Sequence, residues 1–163
     1  MRLALRLSFA GLVCALFAPS GNAQEQTLLL LKRVWSDGPT RPYSDCLKVE
    51  RDGSYRLEHT SGQSEKTQIH VGAFNDQEMK HLGEMLDDPA LESLTTPNPG
   101  QAGVTGADVW WIAITRATDP VQHLWFSTPI PGSSSGDRSP ALDRTPAMQP
   151  LVHWYKQMSK RKR

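Results

Sequence analysis

The chain has 163 residues, with 18 basic and 17 acidic side chains, five histidines and a formal net charge of +1. It has the length of one domain, able to bury around two-thirds of its unfolded surface, so its core needs no metal or disulfide staple. Five of the basic residues, Lys156, Lys160, Arg161, Lys162 and Arg163, lie in the last eight positions, and the acidic body they leave behind argues against a nucleic-acid partner, which would require a basic face.

Residues Met1 to Ala23 read as a cleaved signal peptide. Arg2 and Arg6 form a positive n-region, Leu7 to Ala18 is an apolar run, and Pro19-Ser20-Gly21 breaks it. Gly21 and Ala23 then stand at −3 and −1 of a cleavage site. A run of about 12 apolar residues is too short to span a hydrocarbon core roughly 30 Å thick. The expected mature chain, 24–163, is thus exported to the periplasm or the medium without a transmembrane segment. It would carry 16 basic and 17 acidic residues, and all but five of the basic ones precede the tail at 156–163. Cleavage also removes Cys14 and leaves Cys46 without an intramolecular partner. An inert, buried Cys46 is expected over an intermolecular bond, because no basic helix terminus beside it activates the thiol.

Thr27 to Trp35 is expected as a first strand, followed by a Pro/Gly loop over Ser36 to Ser44. Asp45 to His59 reads as a hairpin around Asp52-Gly53. A two-residue turn would pair Val49 with Arg56 and mix apolar with charged side chains on each face. A three-residue loop, Arg51-Asp52-Gly53, pairs Val49 with Tyr55 and Leu47 with Leu57, and puts Gly53 at the left-handed bulge position. The second register is therefore expected. Thr67 to Ala73 alternates through Ile69 and Val71 as a further strand.

A helix follows. Asn75 and Glu78 have capping-box spacing, and Phe74 and Met79 have the spacing of a hydrophobic staple. Met79, Leu82, Met85 and Leu86 form its apolar stripe, and Asp88-Pro89 caps a short second turn carrying Leu91 and Leu94. Thr95 to Ala107 is a loop. Asp108 to Arg116 and Val121 to Ser127 make a second hairpin, with Trp110, Ile112, Ile114, Leu124 and Phe126 on one face. Val109, Trp111, Ala113, His123 and Trp125 are expected on the other. Thr128 to Asp143 is a Ser/Gly/Pro-rich connection. Thr145-Pro146 is an N-cap and N1 pair, although Pro150 moves the regular helix to about Gln149. Its stripe is Leu151, Trp154, Tyr155 and Met158, and cations fill its last turns.

Catalytic chemistry finds little support. His59, His70, His81, His123 and His153 lie on separate elements with no ligand spacing, so no metal and no cofactor are expected. No G-x-S-x-G elbow is present, and Ser133 to Ser135 lie in a low-complexity loop. Asp87-Asp88 and Glu50 with Glu58 have simpler roles than glycoside hydrolysis, as a helix end and as solvated strand faces. Trp111, His123 and Trp125 carry the strongest functional signal: a sheet covered on one side only would leave them as a binding surface. The competing reading places both tryptophans beneath the C-terminal helix or a long loop. The tail at Lys160, Arg161, Lys162 and Arg163 is read first as a frayed helix end, and second as a contact for an anionic envelope surface.

The order of elements, ending in Leu151-Val152-His153-Trp154, resembles that of emfourin-like small bacterial proteins across roughly Leu28 to Trp154. That family includes inhibitors of thermolysin-type metalloproteases. The resemblance implies a related fold and a protein partner, and it assigns no inhibitory residue here. The loops at Ser36 to Ser44 and Thr128 to Asp143 are longer than in that pattern.

The expectation is an α+β domain, with an antiparallel sheet of about five or six strands and two helices packed on one face. Its expected function is that of a non-catalytic envelope module binding a protein or peptide partner. The alternatives are a hydrolase or metal-dependent enzyme assembled from scattered residues, and an envelope-associated structural protein held by its basic tail.

Overall fold

The computed structural model describes residues 26–35, 43–61, 66–97, 107–117, 120–129 and 141–161. The expected signal peptide at Met1 to Ala23, most of the expected loops, the Ser133 to Ser135 cluster, Lys162 and Arg163 lie outside the described residues. The elements are β1 (Thr27–Trp35), β2 (Tyr43–Glu50), β3 (Ser54–Thr60), β4 (Thr67–Ala73), α1 (Asp76–Leu86), α2 (Pro89–Glu92), β5 (Ala107–Ile114), β6 (Gln122–Pro129) and α3 (Gln149–Arg161). Short 3-10 turns at Leu142–Arg144 and Pro146–Met148 lead into α3.

The strands form one antiparallel six-stranded sheet in the order β4-β3-β2-β1-β5-β6. The α+β fold expected from sequence is thus observed. The first hairpin has the three-residue register: Val49 pairs with Tyr55 and Leu47 with Leu57. Gly53 adopts φ +85°, and a Cβ there would meet Met79 Cγ and the Phe74 carbonyl at 3.3 Å. Both the left-handed backbone and the close approach of α1 therefore require glycine.

Several element ends differ from expectation, and the ladders supply the reason. β2 begins at Tyr43 because Tyr43 still pairs with Trp35. β5 begins at Ala107 and β6 continues to Pro129, because those two residues pair with each other. β5 stops at Ile114, so Arg116 lies beyond the strand. Its guanidinium donates to the Leu86 carbonyl from Nε (3.1 Å) and Nη2 (2.5 Å). α1 has no basic residue in its own last turn; Arg116 supplies the missing cation and satisfies a terminal carbonyl.

The capping box is formed. Asn75 Oδ1 accepts the Glu78 N–H at 2.9 Å, and Glu78 Oε2 accepts the Asn75 N–H at 3.0 Å. Asp88 Oδ1 likewise accepts the Ala90 N–H at 2.8 Å and starts α2. Thr145 and Pro146 stand at the N-cap and first positions of the 3-10 turn, and α3 begins at Gln149 as expected. The Thr145 hydroxyl makes no cap bond and donates back to the Ala141 carbonyl instead.

The core lies between one sheet face and the helices. Leu29, Leu31, Leu47, Val49, Leu57, Trp110, Ile112, Ile114, Leu124 and Phe126 meet Leu82, Leu86, Leu91, Leu151, Tyr155 and Met158 there, all buried. Tyr55 crosses the flat backbone of Gly72, where a Cβ would stand 2.6 Å from the phenol oxygen. From there Tyr55 reaches Phe74, whose ring meets Trp154 of α3 (centroids 4.6 and 5.6 Å apart). This chain of rings joins the β3–β4 end of the sheet to α3.

Candidate functional site

Strand alternation sends Leu30, Lys32 and Val34 of β1 to the face away from the helices, with Val109, Trp111 and Ala113 of β5 and His123, Trp125 and Ser127 of β6. Trp111 stands directly opposite Trp125, Ala113 opposite His123, and Lys32 opposite Trp111. The two indoles meet edge to face, with centroids 4.3 Å apart and planes at 90°, the geometry that ring quadrupoles favour. Lys32 Nζ lies 5.3 Å from the Trp111 ring centroid, within cation–π reach.

A groove of about 550 Å³ runs along this face between Leu30, Lys32, Thr96, Trp111, His123 and Trp125. Thr96 forms its outer wall, with its hydroxyl accepting the Trp125 backbone N–H at 2.7 Å. His123 is exposed, while Trp111 and Trp125 are half-buried. Trp125 Nε1 is buried and has no acceptor among the described residues; such a group costs about 1–3 kcal/mol. The open part of the face is narrower than alternation alone implies. Val109 and Ser127 are buried even though they lie on the same side.

α3 packs on the other face, so it does not cover the tryptophans. Lys160, exposed in the last turn of α3, is likewise across the sheet from the groove. Arg161 ends the helix. The structure brings Trp111, His123 and Trp125 together and does not join Lys160, the described side chain of the basic tail, to them.

A second cluster, missed in the sequence, lies at one end of the helix-covered face. Asp45 is 2% exposed. Its Oδ2 accepts the Tyr155 hydroxyl at 2.6 Å and its Oδ1 bonds His59 Nδ1 at 2.5 Å. Beside it, Arg33 donates from Nε and Nη2 to both oxygens of Asp108, at 2.9 and 2.8 Å. Arg33 also lies over the rings of Trp35 and Trp110, 4.4 and 5.0 Å from their centroids. Burial works against the charged guanidinium, but the hydrogen bonds and charge of Asp108, with Tyr155 and Asp45 adding, raise its pKa above the ordinary value.

An Asp–His pair can orient a histidine for proton transfer, but hydrolysis also needs a nucleophile beside it. Ser44 and Cys46 flank Asp45 on β2 and alternation sends both to the opposite face. The geometry is that of a buried latch tying α3 to β2 and β3. The signal for it was present in the pleat: Asp45 shares register with Leu47 and Val49, His59 with Tyr55 and Leu57, and Arg33 with Leu29 and Leu31.

Among the described residues no group of three His, Cys, Asp or Glu side chains is arranged to hold a metal ion, and no helix is long and apolar enough to cross a membrane. Cys46 is half-buried rather than deeply enclosed. No protein-family model matches this chain, and no curated protein does.

Proposed function

We propose that the chain is an exported, non-catalytic binding module of the cell envelope, and that its Trp111/Trp125 groove grips a protein or peptide partner. The observation that carries this reading is the edge-to-face tryptophan pair beside Lys32 on a sheet face that the helices leave uncovered. Tryptophans and a cation in an apolar groove are the side chains that dominate binding energy at protein interfaces. The indole N–H of Trp125, which has no acceptor among the described residues, belongs to the same argument, since buried tryptophans in purely structural roles find acceptors.

The test is capture from envelope extract by the wild type and by the Trp111→Ser/Trp125→Ser variant. Saturable capture of a defined protein by the wild type, lost in the folded variant, supports the reading. Equal capture by both removes the groove from the interaction.

A second reading is protease inhibition, which rests on the resemblance of the element order to that of emfourin-like proteins. Titration against a thermolysin-type metalloprotease decides it, and full protease activity at a large molar excess of the protein rules it out. Attachment through the basic tail is a third. Deleting residues 160–163 should then release the protein from anionic vesicles, and unchanged partitioning removes that idea.

A further inference from the structure

β4 is the outermost strand at one side of the sheet, with no described element along its far edge. Backbone alternation shows which of its groups look outward. The N–H of Phe74, just after the strand, donates to Gly53 O at 3.0 Å, and the carbonyl of Lys66, just before it, accepts from Ser61 N at 3.4 Å. Even-numbered positions therefore bond inward to β3, and Thr67, Ile69, Val71 and Ala73 turn both backbone groups outward. Their side chains share the face away from the helices, where Ile69 is 49% and Val71 71% exposed. The strand contains no Lys, Arg, Asp, Glu or Pro, the residues that ordinarily stop an edge from pairing.

The other edge is different. On β6 the Trp125 N–H is taken by Thr96, and the Gln122 side chain donates to the Leu91 and Leu94 carbonyls, so the chain after α2 lies along that edge. Among the described residues, then, β4 is the edge that no contact occupies, and this restricts the partner. Head-to-tail growth needs two open edges, whereas two-fold pairing uses one from each copy and closes. The sequence Thr67-Gln68-Ile69-His70-Val71-Gly72-Ala73 is also self-complementary about His70. An antiparallel pairing centred there sets Ile69 against Val71, and Thr67 against Ala73, across the two copies. All four outward-facing residues then exchange backbone bonds, and the β-branched side chains cover one another.

We propose that β4 pairs antiparallel with β4 of a second copy about His70, making a closed dimer with one continuous sheet. A single strand edge is smaller than the roughly 1,200 Å² of a standard stable interface, so the association is weak, with a dissociation constant of about 10–500 µM. Sedimentation velocity on the protein lacking residues 1–23, from about 5 µM to 1 mM, tests this. The wild type should pass from monomer to dimer, and Val71→Lys should raise the dissociation constant at least tenfold with an unchanged far-UV circular dichroism spectrum. Ile69→Lys, at a second exposed position, should do the same and serves if Val71→Lys folds poorly. A wild type monomeric at 1 mM, growth beyond the dimer, or lysine variants that dimerise as the wild type does would each overturn the proposal. Loss of the dimer only in Trp111→Ser/Trp125→Ser would place the contact on the groove and overturn it as well.

Discussion

Tyr155→Phe isolates the buried latch. The substitution keeps the ring that packs edge-on to Trp110, with centroids 5.4 Å apart, and removes only the hydroxyl that donates to Asp45 at 2.6 Å. Because Asp45 is 2% exposed, water cannot replace the lost donor without opening the site. A hydrogen bond to a charged group contributes about 1.5–3 kcal/mol, so the variant should lose about 2 kcal/mol. For a domain of this size, at about 3–5 °C per kcal/mol, that lowers Tm by about 6–10 °C. Urea unfolding followed by tryptophan fluorescence and by circular dichroism measures the loss. A double-mutant cycle with Asp45→Asn should give a coupling of about 1–2 kcal/mol. Tyr43→Phe, which removes the hydroxyl of a half-buried ring stacked on Trp35, is the control and should stay within about 0.5 kcal/mol of the wild type. A Tyr155→Phe loss as small as that of the control would refute the latch.

Two further outcomes follow from the β2–β3 turn. Gly53→Ala places a side chain at φ +85° with α1 at 3.3 Å, and should cost about 1–2 kcal/mol in the same urea assay; a neutral effect would contradict the turn geometry. Asp52 Oδ1 accepts both the Ser54 hydroxyl and the Ser54 N–H, at 2.7 and 2.9 Å, which lowers its pKa below the usual 3.8. A depressed folded-state pKa contributes stability that is complete above the unfolded value and is lost as pH falls through the folded one. Carboxyl NMR titration should therefore place the Asp52 midpoint below 3.8 in the wild type and return it towards that value in Ser54→Ala.

Much of the local architecture was legible because its causes are local. The Arg51-Asp52-Gly53 loop has one register that keeps Leu47, Val49, Tyr55 and Leu57 together, and Asn75 with Glu78 can close a capping box only at a helix start. The shared face of Trp111, His123 and Trp125 followed from alternation in the second hairpin in the same way, whereas the register that sets Trp111 opposite Trp125 came only from the ladder. What stayed hidden depends on partners far apart in sequence. Nothing near β1 indicates that it lies between β2 and β5, or that Arg116 would reach the end of α1. The latch is the sharper case. Asp45, His59 and Arg33 occupied core-register positions on their strands, but only the placement of β5 and α3 supplies Asp108 and Tyr155, without which those charges would be expected to face solvent.

The central claim is that the Trp111/Trp125 face is a surface for a partner and not part of the core. Equilibrium unfolding of Trp111→Ser/Trp125→Ser tests it most directly. An edge-to-face pair adds about 0.5–1.5 kcal/mol beyond its area, and the rings are only half-buried, so the account predicts a combined loss below about 3 kcal/mol in a protein that still folds cooperatively. Truncation of a core tryptophan costs about 3–5 kcal/mol for each site. A combined loss above about 6 kcal/mol, or failure to fold, would make both residues core and contradict the account.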